Sequence, residues 1–167
     1  MHRLVGLYIE DEPKNIILMK GRFSLFSGID LIGIENYPAK PDDFYEFVIK
    51  NNVDFLIVDH ELDKLSVDYK GIDVLREIRK HDSNIYAVLL TNYPLDDYKG
   101  ELGEYDFQLN KADLKDTGKM EELVTKIKRA CTLRMDNDIL ASMDHKQREA
   151  SELLALLQEM KNTTEKG

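Results

Sequence analysis

Two stretches of this chain carry apolar side chains at consecutive positions with no polar alternation: Phe55–Val58, inside the run DFLIVDHE, and Ile85–Leu90, IYAVLL. A strand with one wet face alternates, so a strand that does not alternate is covered on both faces. Covering both faces of a sheet takes helices, and the sequence supplies them between its strands. Leu4–Ile9 (LVGLYI) reads as a further strand. Pro13, tolerated in a first helical turn, then opens a helix that carries Ile16, Met19, Phe23 and Phe26 at helical spacing until Gly28 stops it. Ile29–Ile34 reads as a strand and Pro41–Lys50 as a helix with Phe44, Phe47 and Val48 on one face. Gly71–Lys80 spaces Ile72, Leu75 and Ile78 for another helix. A short helical or irregular piece is expected after Pro94, then a strand at Tyr105–Leu109 and an amphipathic helix at Lys119–Cys131 that buries Met120, Leu123, Val124 and Ile127. Five strands alternating with helices predict an α/β domain over residues 1–131: a doubly wound five-stranded parallel sheet with right-handed crossovers.

The strands end in charge. Glu10 and Asp11 leave the first strand, Asp59 the third, Thr91 the fourth and Lys111 the fifth. Open parallel sheets place ligands beyond the carboxyl ends of their strands, where the winding reverses, so three carboxylates, a hydroxyl and an ammonium converge on one edge. Two carboxylates about 5 Å apart at an effective dielectric of about 20 repel by roughly 3 kcal/mol. A hard divalent cation with oxygen ligands relieves that repulsion, and so does the compact Lys111 ammonium. Mg²⁺ suits such a site, since it accepts one or two carboxylates, keeps waters and gathers phosphate oxygens. In this arrangement the apolar run fixes Asp59 for attack on a phosphoryl group, with Thr91 donating to one phosphoryl oxygen and Lys111 pairing with another. Each residue also has a plainer role: Asp59 ends a strand, Glu10 and Asp11 complement a helix dipole, Thr91 caps a helix. His60 reads as a histidine at the pocket rim and Cys131 as a small packed apolar group.

The segments IEDEP at 9–13, FLIVDHEL at 55–62, KGIDVLREIR at 70–79, VLLTN at 88–92 and FQLNK at 107–111 together resemble the receiver domain of bacterial two-component response regulators. The resemblance implies a flavodoxin-like fold of strand order 2-1-3-4-5, in which Asp59 accepts a phosphoryl group from a histidine kinase or phosphotransfer protein. It further implies that Glu10 and Asp11 form the metal-binding acidic pair, that Glu61 gives its backbone carbonyl to the metal, and that Thr91 and Lys111 are the switch hydroxyl and the site lysine. Asn92 is larger than the residue usual after the switch hydroxyl, Gln108 stands where an aromatic is common, and Ala112 replaces a proline. Asp63, Lys64 and Asp68 lie in a longer loop after Asp59 and form a charged flap. Asn92, Gln108 and the longer flap suit an alternative, a pseudo-receiver scaffold that binds partners without being phosphorylated. A dehalogenase-type phosphatase wants a second Asp two residues after the nucleophile, where Glu61 stands.

From Thr132 onward the pattern changes. Ile139, Met143, Lys146, Ala150, Leu153, Leu157 and Met160 recur in steps of four and three, the seam of a long amphipathic helix, and residues 162–167 should fray. Residues 132–167 are therefore read as a C-terminal helical extension that packs on its own domain or on a second copy as a homodimer. The remainder is too short and acidic for a helix-turn-helix domain, and a net charge of −9 with pI near 5.0 disfavours direct nucleic-acid binding. Output is expected through a downstream protein partner, with no separate catalytic domain. No apolar run approaches the ~20 residues of a membrane span, no secretory signal is read at the start, and a single cysteine excludes an internal disulfide. A cytoplasmic location follows as an expectation.

Overall fold

The computed structural model describes residues 2–64, 66–92 and 104–164. Five strands, β1 (Leu4–Ile9), β2 (Ile29–Gly33), β3 (Phe55–Asp59), β4 (Tyr86–Thr91) and β5 (Phe107–Asn110), form one sheet in the order β2-β1-β3-β4-β5, and every pairing is parallel. The sequence pattern predicts the doubly wound parallel sheet, and the strand order is the one that the resemblance implies. Every residue of β3 is buried, as are Ala87–Thr91 of β4, so the two runs without alternation form the covered centre of the sheet.

Helix α1 (Pro13–Phe23) buries Met19 and Phe23, α2 (Phe44–Lys50) buries Phe44 and Val48 after a 3₁₀ turn at Pro41–Asp43, and α3 (Gly71–His81) buries Ile72, Val74, Leu75 and Ile78. The core on one side of the sheet joins Leu7, Ile9, Leu56 and Val58 to Phe44, Leu75 and Ile78. Helix α1 stops five residues before Gly28: Ser24 caps it, and Phe26 packs half-buried from the turn that follows. Gly28 takes the left-handed conformation, φ +73°, at the entrance to β2.

Gly71 requires its missing side chain. A Cβ there would stand 2.0 Å from the Asp59 carbonyl oxygen and 2.7 Å from Val58 Cγ1, while its N–H donates to the His60 carbonyl at 3.1 Å. The start of α3 is thereby pressed against the end of β3, and His60 N–H donates to the Leu90 carbonyl at 2.9 Å on the other side. The backbone carrying Asp59 is tied to both neighbours.

Further boundaries differ from the sequence reading. The last strand begins at Phe107 rather than Tyr105, because Asp106 turns its carboxylate onto Ala87 N–H (2.8 Å) and Arg79 (2.6 Å), and Tyr105 donates its hydroxyl to Gln108 Oε1 at 2.8 Å. After a 3₁₀ turn at Lys111–Lys115, helix α4 runs unbroken from Thr117 to Thr164, where the sequence suggested a helix to Cys131, a change of character and fraying from Asn162. The piece expected after Pro94 lies outside the described residues. The chain divides into two compact units, Met1–Cys131 and Thr132–Gly167. In the first unit α4 buries Met120, Leu123, Val124, Ile127 and Cys131; in the second, residues 136–163 are all exposed.

Candidate functional site

The registers of the central strands set the site. Ile9 pairs with Val58, Asp59 with Leu90 and Thr91 with Asn110, so Glu10, Asp59, Thr91 and Lys111 emerge at one edge of the sheet. Glu10, Asp59 and Thr91 are each only 1% exposed. The Lys111 ammonium, partly buried, bonds Asp59 Oδ2 and lies 3.4 Å from Glu10 Oε2, a contact between residues 101 apart in sequence. Ligand atoms of Glu10, Asp11 and Asp59 all lie within 4.8 Å of one another. Three carboxylate oxygens at that spacing make a hard-oxygen donor set that fits Mg²⁺.

The remaining contacts hold these carboxylates in place. The Asp59 Oδ1 atom accepts from Glu61 N–H at 3.2 Å, and Glu10 Oε1 accepts from Glu12 N–H at 3.1 Å. The Tyr8 hydroxyl donates to Glu10 Oε2 at 2.8 Å, and the Tyr37 hydroxyl accepts from Glu10 N–H at 2.8 Å while donating to the Glu10 carbonyl. Both tyrosines were missed as site residues in the sequence. Tyr8 hides in an apolar run, although its place two residues before Glu10 puts both on one face of the strand. Tyr37 sits in the loop after β2, where nothing in its neighbourhood points to the first strand.

Burial, with the Glu10 charge adding to it, pushes the Asp59 carboxyl up to about 7 against the pull of Lys111. Burial likewise raises Glu10. Asp11 moves the other way: burial works to raise it, but its hydrogen bond with Glu10, the Lys64 N–H and the Lys111 charge together bring it below its ordinary value. Lys111 is held charged: burial is the largest single influence and works to lower it, but the bonds and charges of Asp59 and Glu10 together outweigh that desolvation and raise it. The site therefore holds more carboxylate than one ammonium neutralises, which favours either a proton or a metal ion on it.

Lys64 of the flap makes two contacts with the acidic run. Lys64 N–H donates to Asp11 Oδ2 at 2.8 Å, and the Lys64 ammonium pairs with Glu12 at 2.9 Å. Asp63 and Asp68 are not brought to the carboxylates by any described contact. His60 is buried rather than at the rim, with Nε2 3.8 Å from Glu61 Oε1. Asn92 is exposed beside buried Thr91, and the Phe107 ring lies under the Lys126 ammonium at 4.8 Å.

No protein-family model matches the sequence, and no curated protein matches it. Solved structures do match. The response regulator TrrA from Thermotoga maritima, in complex with Mg²⁺-BeF, shares 25% identity at a TM-score of 0.58, covering 74% of this chain and 98% of that one. The Francisella response regulator 1452 receiver domain shares 19% at a TM-score of 0.60, covering 79% and 99%. A response regulator receiver domain from Clostridium thermocellum shares 21% at 0.60, covering 79% and 97%. With five parallel strands in the order 2-1-3-4-5 and its acidic edge at their carboxyl ends, the chain has the flavodoxin-like fold of a response-regulator receiver domain.

Proposed function

We propose that the chain is a two-component receiver that takes a phosphoryl group on Asp59 in a Mg²⁺-dependent reaction and signals through protein–protein contacts. The observation that carries this is the buried Asp59 carboxylate bonded to Lys111, with Glu10 and Asp11 ligand atoms within 4.8 Å. Asp11, Asp59, Glu10 and the Glu61 backbone carbonyl are the groups to hold Mg²⁺. When bound, the ion neutralises the carboxylates and draws phosphoryl oxygens toward them.

The chain's own residues do the rest. Asp59, fixed by the β3 backbone and by Glu61 N–H, presents one oxygen to phosphorus; a bond forms there as the donor's bond to phosphorus breaks, and the donor leaves with that electron pair. Lys111 exchanges its bond to the free carboxylate for one to a phosphoryl oxygen, and Thr91, at the end of the adjacent strand, donates to another. The new group adds roughly −1.5 to −2 charge at this edge, which biases the loops that bear Thr91 and Lys111. A histidine kinase or phosphotransfer protein is the donor by this reading and a downstream protein the receiver of the signal. Action in the cytoplasm belongs to this reading. Among the described residues no helix is long and apolar enough to cross a membrane.

Acetyl phosphate with Mg²⁺ should add one phosphoryl mass to the protein, lost in Asp59→Asn and without Mg²⁺; an equal gain in that variant overturns the assignment. One observation favours a second reading, the pseudo-receiver scaffold: the Lys64 N–H already occupies an oxygen of Asp11. No calorimetric heat on Mg²⁺ titration at pH 8 selects that scaffold.

A further inference from the structure

Along the second unit, α4 exposes Ile139, Met143, Leu153, Leu157 and Met160, each 53–67% accessible, at steps that keep them on one stripe. A stripe of that length is larger than a soluble surface usually leaves uncovered. We propose that residues 133–161 pair with the same segment of a second copy of the chain as an antiparallel two-helix coiled coil centred near Arg148.

The charged residues on the seam decide both partner and direction. Asp136, seven before Met143, and Lys146 occupy seam positions, and both are exposed. In a parallel pair in register each meets its own copy, Asp136 on Asp136 and Lys146 on Lys146, and like charges at the seam oppose association. Reversing one helix about residue 148 removes both clashes. Ile139 then lies level with Leu157 of the second copy and Met143 with Leu153, pairing large with large. Lys146 comes level with Ala150, the smallest side chain on the seam, and its ammonium reaches Glu149 of the second copy. Asp136, level with Met160, lies beside Lys161. Every charge on the seam thus finds its opposite, twice over by symmetry. Leu140 and Leu154, which flank the seam on one side, also cover each other in this alignment, whereas a parallel pair sets Leu154 against Glu149.

The test uses the full chain with Cys131→Ser. Met143→Cys and Leu153→Cys proteins, one carrying a size tag, are mixed and oxidised. The antiparallel pair gives the mixed disulfide in about tenfold excess over either self-disulfide, because positions 143 of the two copies stand roughly ten residues, about 15 Å, apart along the axis. Predominant self-disulfide of Met143→Cys overturns the proposal. Sedimentation should give twice the 19.4 kDa chain mass at micromolar concentration; a monomer or a tetramer overturns it. Lys146→Glu should weaken self-association about tenfold, and adding Glu149→Lys to it should restore affinity to within about threefold, since close charge pairs couple by this much. Failure of that rescue contradicts the alignment even if a dimer forms. None of these variants touches the carboxylate edge, so the outcome is independent of the phosphorylation reading.

Discussion

Asp59 is carried at the end of a strand without one exposed residue, and that burial sets its titration. Its carboxyl is raised from 3.8 to about 7, so the folded protein holds a proton that the unfolded chain has released. The resulting stabilisation of the metal-free protein is complete below about pH 4 and is lost as pH rises through about 7. The melting temperature of metal-free protein should fall from pH 6 to pH 8, and Asp59→Asn should flatten that fall; scanning calorimetry at both pH values checks it. Mg²⁺ needs the ionised carboxylate, so its affinity should rise up to about tenfold per pH unit below 7 and level off above, as read by titration calorimetry. Tyr8→Phe should cost about 1.5–3 kcal/mol in urea unfolding at pH 8, since a hydrogen bond to a buried charged carboxylate is lost, and less at pH 5, where Glu10 is neutral more of the time. Asp59 and Lys111 are legible in the sequence because strand ends announce themselves. The tyrosine hydroxyls are not, because an aromatic in an apolar run looks like core, and the reach of Tyr37 to Glu10 depends on a loop path that no local pattern encodes.

At the scale of elements, the packing of α3 against β3 is what holds Asp59 still. Gly71→Ala puts a methyl 2.0 Å from the Asp59 carbonyl, so the two elements must separate. A destabilisation of about 1–3 kcal/mol is expected, together with slower modification by acetyl phosphate than in a Gly21→Ala control, whose site has open space around it. Urea unfolding and the time course of the mass change measure the two effects. Strands β3 and β4 were read from their unbroken apolar runs because burial on both faces leaves no other pattern. The start of β5 was misread by two residues: Asp106 N–H still donates to the Ala87 carbonyl at 2.9 Å, but Ala87 N–H donates to the Asp106 carboxylate rather than to a backbone carbonyl, so regular pairing begins at Phe107. The end of α1 was misplaced for a related reason, since Gly28 marks the turn into β2 and Ser24 the helix end.

For the whole molecule, the unbroken α4 is the largest departure from the sequence reading. Between Lys119 and Thr164 there is no Gly or Pro, so nothing local stops the helix, and the change at Thr132 is one of environment: buried stripe before, exposed stripe after. A helix segment with no buried residue is marginal in water unless something packs on it. Its helicity should therefore fall on dilution, which far-UV circular dichroism measures against Asp136→Lys plus Lys146→Glu, a protein expected to show the low-helicity signal at every concentration. The claim on which function rests is the convergence of residues from four strand ends into one phosphoryl-accepting edge. A crystal of the chain soaked with Mg²⁺ and beryllofluoride tests it most directly: density for the ion among Asp11, Asp59 and the Glu61 carbonyl, with beryllofluoride joined to an Asp59 oxygen and touching Lys111, is the expected result, and an Asp59 carboxylate still bonded to Lys111 and Glu61 N–H alone, with no ion on the acidic trio, is the result that would contradict it.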